Sequence, residues 1–205
     1  ACNMSKVIIA GDVNGSGVFT LAAPNGNTNR TLTLPDEAGT LVTTASLPNP
    51  LTSGTAVATT SGTSIDFTGI PSWAKRVTVM FRGVSTNGGT NCQVQLGTSG
   101  GVVTSGYLGA QAYISGSTPG SSNLTTGLTA GQNVGATHTR HGLVTIINVT
   151  SNDWASTALM ALSNQTEVGL GAGSVSLSGS LTTVRITTIN GTDTFDAGSI
   201  NIMYE

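Results

Sequence analysis

Apolar residues in this chain recur at every second position, and the runs that carry them break at Asn-Gly dipeptides. Thr31-Leu32-Thr33-Leu34 alternates strictly. Val77, Val79 and Phe81 alternate with Thr78, Met80 and Arg82; Val175 and Leu177 with Ser174, Ser176 and Ser178; Ile200, Ile202 and Tyr204 with Ser199, Asn201 and Met203. A side chain that changes face at each residue belongs to a β-strand with one face on a core and the other facing something wetter. Thr suits the wetter face, because its branched Cβ packs while its hydroxyl stays solvated. Asn14-Gly15, Asn25-Gly26, Asn87-Gly88 and Asn190-Gly191 supply the positive φ values of tight hairpins. The pattern predicts strands at roughly 5–9, 18–22, 30–34, 40–43, 63–68, 75–84, 91–97, 107–114, 142–150, 154–163, 166–170, 174–178, 183–189 and 198–204. Pro71-Ser72-Trp73-Ala74 suits a single helical turn.

Composition excludes the main alternatives. Gly, Ser, Thr and Asn fill 99 of 205 positions, and charged residues only 8%, against about 25% in an average soluble domain. That is too poor in Glu, Lys, Ala and Arg for a helical bundle. Seven Lys and Arg at a net charge of −2, without a cluster, cannot displace phosphate counterions, so nucleic acid is not expected as a partner. No window is long and apolar enough for a membrane-crossing helix, and the apolar run near the start is too short for a signal peptide. Recurrent Val, Ile and Leu pairs with a mean hydropathy of +0.16 oppose disorder. Cys2 and Cys92 read as two free thiols rather than a disulfide framework.

Leu47-Pro48-Asn49-Pro50-Leu51 divides the chain, because two closely spaced prolines favour an extended spacer over a central strand. Residues 1–46 then form an N-terminal β stem, 47–54 a linker, and 55–205 a C-terminal antiparallel β-sandwich knob of jelly-roll-like type. The first part is too small to bury a core alone. Pairing with copies of itself covers it at least cost, so Val18, Leu21, Leu32, Leu34, Leu41 and Val42 are expected to meet across a symmetry axis. Gly116–Arg140, mostly Gly, Ser, Thr and Asn, reads as a long excursion between two core strands.

Two segments resemble a known group. Gly15-Ser16-Gly17-Val18-Phe19-Thr20-Leu21-Ala22-Ala23-Pro24, followed by Thr31-Leu32-Thr33-Leu34-Pro35-Asp36-Glu37-Ala38-Gly39-Thr40-Leu41, is similar to the short repeat of bacteriophage tail-fibre and related virion fibre proteins. There such a pattern builds an intertwined, prism-like trimeric stem. The closing run Val184–Glu205, with Phe195-Asp196-Ala197-Gly198-Ser199-Ile200-Asn201-Ile202-Met203-Tyr204-Glu205, resembles the last strands of small phage and prophage structural proteins. Together the two cover about a third of the chain. The resemblance implies an all-β homotrimer on the virion surface, anchored to other virion proteins through its stem with the sandwich distal. The chain is shorter than typical long tail fibres, which raises a head fibre, a capsid decoration protein or a short tail appendage beside a host-attachment fibre.

No residue pattern announces catalysis or a cofactor. Asp193 and Asp196 sit in an Asn-Gly-Thr-Asp turn, where capping the local backbone is the expected role. No Gly-x-Ser-x-Gly lies between a strand and a helix, and no glycine cluster precedes a helix. His138 and His141 are three apart, so on a strand they face opposite sides and do not share a metal. Sugar faces stack on flat rings, which makes Tyr107, Tyr113, Trp73 and Trp154 the candidate ligand-binding residues for a host-surface glycan. The competing reading of the two tryptophans is as plugs at the core edge with satisfied indole N–H groups. These residues read as a non-enzymatic protein without metal or cofactor.

Overall fold

A computed structural model describes residues 14–16, 25–29, 31, 51–131, 135–136 and 138–205. Val18, Leu21, Leu32, Leu34, Leu41 and Val42, the rest of the expected stem and its strands lie outside the described residues, Thr31 and the short stretches just named apart. From Leu51 onward the chain is all-β, and every strand pair is antiparallel. The first seven strands are β1 (Thr52–Ser53), β2 (Val57–Ala58), β3 (Ser64–Thr68), β4 (Arg76–Thr86), β5 (Cys92–Thr98), β6 (Gly101–Val102) and β7 (Leu108–Ser115). The next seven are β8 (Thr118–Leu124), β9 (Leu128–Thr129), β10 (Arg140–Thr150), β11 (Asp153–Leu162), β12 (Glu167–Ser176), β13 (Thr183–Thr188) and β14 (Phe195–Tyr204).

The strands form two packed sheets. The larger has the order β1-β14-β4-β10-β11-β12-β7-β8, with β2 also on β14; the smaller has β3-β13-β5-β6, with β9 also on β5. Val77, Val79, Val144, Ile146, Met160 and Ile200 from the large sheet meet Val94, Leu96, Val184, Ile186, Ile65 and Phe67 from the small one in one core. This is the sandwich that the alternation predicts, and β14 lies inside the large sheet, as expected for its Ile200 and Ile202. Segment 154–163, whose Ala, Leu and Met also suit a helix, is the strand β11, held between β10 and β12 over its whole length.

Several local expectations change. The strands expected at 166–170 and 174–178 are one, β12, because Gly171 and Gly173 let β7 and Thr129 approach where a Cβ would meet their atoms. Gly116–Arg140 is not one excursion: β8 makes a hairpin with β7, and β9 joins the small sheet. Tyr113 stands opposite Gly120 in that hairpin, its ring filling the space a Cβ would take. Residues 71–74 make a β-turn, Ala74 N–H donating to the Pro71 carbonyl at 2.9 Å, rather than a helical turn. The linker expected over 47–54 ends earlier, because Thr52–Ser53 pairs with Tyr204 and Met203.

Gly83 and Gly198 let β4 and β14 stay paired through a register shift. Both have positive φ, 67° and 94°, and a Cβ on Gly198 would run into the Gly83 carbonyl.

Candidate functional site

The predicted ligand residues are scattered. Tyr107 is 1% exposed. Its hydroxyl donates to the Val103 carbonyl at 2.9 Å and accepts from the Leu96 N–H at 2.8 Å. Burial pushes its phenol up to about 12. Tyr107 is therefore an internal brace between β5 and the segment after β6, and a sugar cannot reach its ring. Trp154 is also buried, and its indole N–H has no hydrogen-bond partner, contrary to the satisfied plug expected. Trp73 is half-buried against the core, 5.7 Å from the Tyr204 ring. Tyr113 is half-buried beside a shallow apolar groove with Ile114, Pro119, Val168 and Leu170. The four aromatics do not line one cleft.

Among the described residues, Asp66, Asp153, Asp193, Asp196 and Glu205 are engaged one by one within the fold. Asp66 receives both Arg185 Nε and Nη2 at 2.7 Å, which holds the guanidinium above its usual range. Asp193 accepts from the Asn190 amide and from the Thr90 N–H, which holds its carboxyl below the usual carboxylate range. The turn cap itself is Asn190, whose Oδ1 accepts from Thr192 and Asp193 N–H. Asp196 accepts from Ser85, Asp153 from Ser176, and Glu205 pairs with Arg76. His138 Nδ1 accepts from the Gly135 N–H, while His141 Nε2 bonds Ser163. Among the described residues, no three His, Cys, Asp or Glu side chains gather as metal ligands.

Glutamines carry an arrangement the sequence does not advertise. Gln93 and Gln95 alternate with core residues of β5, yet both are buried on the outer side of the small sheet as well. Thr126 Oγ1 donates to Gln93 Oε1 at 2.8 Å, and Gln95 Nε2 donates to the Thr126 carbonyl at 2.9 Å. Across the sandwich, Gln111 accepts from Thr129 and donates to Ser122. Three carboxamides thus bind the Gly- and Thr-rich segment after β8 to both sheets. Outside Gln93 and Gln95 runs a polar groove of about 320 Å³, walled by Ser64, Thr104, Thr126, Arg185, Thr187 and Asn190. Amides and hydroxyls dominate it, the donor and acceptor set that a sugar's hydroxyls would match.

The outer face of the large sheet departs furthest from expectation. Thr was expected there, and Thr145 and Thr157 do stand on it, but beside them Leu143 on β10, Leu159 on β11 and Leu170 on β12 stand side by side in register, at 50%, 61% and 60% exposure. Val168 and Ile114 extend the patch on one side, and Ile147 and Leu108 on the other. Ala110, Ala112, Ala155 and Ala172 lie between them, all partly or fully exposed. β10 and β11 are thus largely apolar on both faces, and the apolar outer face continues across β12 and β7. No family model, curated protein or solved structure matches the chain.

Proposed function

We propose that the chain is a structural protein of a bacteriophage particle, a homotrimer that displays the sandwich beyond an N-terminal stem. The observation that carries this reading is the stem-type pattern of residues 15–41 standing ahead of a sandwich and separated from it by Pro48 and Pro50. The engaged carboxylates favour a mechanical role over a hydrolytic one, since a glycosidase needs two free acids facing each other across a sugar. Holding three sandwiches together converts weak contacts into useful binding through avidity. Head-fibre, decoration and short tail positions all use the same anchor and trimer. A reconstruction of the whole particle is expected to show threefold density of this size outside the shell or tail. Purified particles lacking the chain would overturn the assignment.

A second reading, host-glycan adhesion, is favoured by the polar groove beside Gln93 and Gln95. It moves the contact surface away from Tyr107 and Trp154, which are buried, onto hydroxyl and amide groups. Binding on a glycan array that disappears in a Ser64→Ala, Thr104→Val variant would support it. Binding that survives that variant but fails in Tyr113→Ala would place the sugar in the apolar groove of β7 and β8 instead.

A further inference from the structure

The uncovered apolar face of the large sheet needs an occupant. From the His141 row to the Ile147 row, four strands at about 4.8 Å spacing and seven residues at about 3.4 Å each present a flat area on the order of 450 Å². Side-chain relief raises the accessible area further, to the upper end of the patches found on monomers, which are often functional, and to more than half of the roughly 800 Å² per partner of a standard stable interface. Between the Ile147 row and the His141 row, the outward positions of β10, β11, β12 and β7 hold no Asp, Glu, Lys or Arg. The charges stand at the margins, Arg76 and Arg82 on β4 and Asp153 at the start of β11. An apolar centre inside a polar rim is the anatomy of an interface, and the greater apolar share is typical of contacts between identical chains. Association through the nearer sheet edge is disfavoured. The edge strand β8 carries Pro119 and otherwise small polar residues along most of its length.

We infer that this face is the contact surface between copies of the chain, three faces closing around one axis. The inference rests on the homotrimer reading above and assigns it a surface within the sandwich, besides the stem. The width suits three copies. A triangular prism with sides of about 19 Å has its axis about 5.5 Å from each side, close to half the roughly 10 Å at which sheets pack face to face. The Leu143, Leu159 and Leu170 row of each copy would then face the prism interior.

The test uses the full chain in a Cys2→Ser background, where Cys92 is buried. One variant adds Thr157→Cys at the middle of the face, and a control adds Thr68→Cys on exposed β3. Light scattering gives the assembly mass, and maleimide labelling gives the accessibility of each thiol. The expected result is three times the 20.5 kDa chain mass, with Thr157→Cys labelling at least about 100-fold slower than Thr68→Cys. Adding Leu159→Glu and Leu170→Glu should restore fast labelling while circular dichroism still reports the β fold. A threefold mass with fast labelling at Thr157→Cys overturns the inference and leaves the trimer standing. A single-chain mass overturns both, and slow labelling at that mass assigns the face to the chain's own N-terminal residues. A twofold mass with slow labelling keeps the face as a self-contact and overturns the threefold closure.

Discussion

Replacing Tyr107 by Phe removes one oxygen and tests the interior of the sandwich on two independent axes. At neutral pH the change strands the Leu96 N–H and the Val103 carbonyl that the hydroxyl now joins. Each such polar group left alone costs about 1–3 kcal/mol, so with two of them the variant should lose about 2–6 kcal/mol in urea unfolding at fixed chain concentration. The second axis is alkaline pH. The phenol titrates near its ordinary value of 10 in the unfolded chain and at about 12 in the folded one. Between those values the unfolded state has released a proton that the folded state keeps. The unfolded state therefore binds fewer protons, and stability falls as pH rises, levelling once both forms are ionised. Two pH units correspond to about 2.7 kcal/mol. Burial also raises the Cys92 thiol and adds a loss of the same sign from lower pH, but it does so equally in both proteins. Wild type should thus lose about 2.3 kcal/mol more than Tyr107→Phe between about pH 9 and about pH 12, where the folded phenol is half ionised. Parallel alkaline limbs would refute the buried, doubly bonded phenol, and so would a neutral-pH cost within about 0.5 kcal/mol of zero.

Three further outcomes follow from the strands and turns. Gly198→Ala places a Cβ at φ 94° against the Gly83 carbonyl, and should cost about 2–4 kcal/mol in thermal or urea unfolding, whereas Gly191→Ala, at φ 69° with open space around it, should cost less. Ile202→Ala, 2% exposed on β14 of the large sheet, should cost about 2–5 kcal/mol, and deleting 198–205 should leave no soluble folded protein, because β4 loses one of its two neighbours and the core loses Ile200 as well. Asp193, held below the ordinary carboxylate range by Asn190 and Thr90, stabilises the fold at pH above that range and loses the contribution as pH falls through its folded value, so Asp193→Asn should flatten the acid limb of the unfolding curve below about pH 4.

Strands with a clear period of two were legible in the sequence, and the reason is physical. In β4, β13 and β14 one face is apolar and the other polar, so alternation alone fixes both the element and its buried side. The short pairings of β1, β2, β6 and β9 carry two residues each, too few for any period to show. In β8 the sequence Thr118–Leu124 is Pro, Gly, Ser and Asn for most of its length, a composition that reads as loop, and its pairing is imposed by β7. Aromatic rings were visible as candidates, but whether a ring faces sugar or core depends on partners distant in sequence. Tyr107 finds Leu96 and Val103 in the fold, and nothing in its local run distinguishes it from Tyr113. The glutamines are hidden in the sequence for the opposite reason. Gln93 and Gln95 occupy positions where alternation predicts solvent, and only the return of Thr126 over them makes them buried.

The alternation also hid a second meaning in β10, β11, β12 and β7. Leu143-Val144-Thr145-Ile146-Ile147 is apolar at four of five positions, and Leu159-Met160-Ala161-Leu162 at all four. Antiparallel strands that face water on one side seldom read this way; strands covered on both faces do. The inner set, Val144, Ile146, Ala158 and Met160, fills the sandwich, so the outer set is surplus to the fold of one chain. The scarcity of charge, 8% of residues, points the same way. A sandwich that keeps its outer sheet in water needs charges there to stay monomeric, and Lys or Glu directly opposite one another on four strands would be an easy means. Thr, Ser and Asn populate the small sheet and the turns, while this broad face carries leucine beside only Thr145, Thr157 and Ser174 and no charged group. If that face closes on copies of itself, uncharged strands are the required composition, because every charge placed on it would be desolvated three times over at the axis.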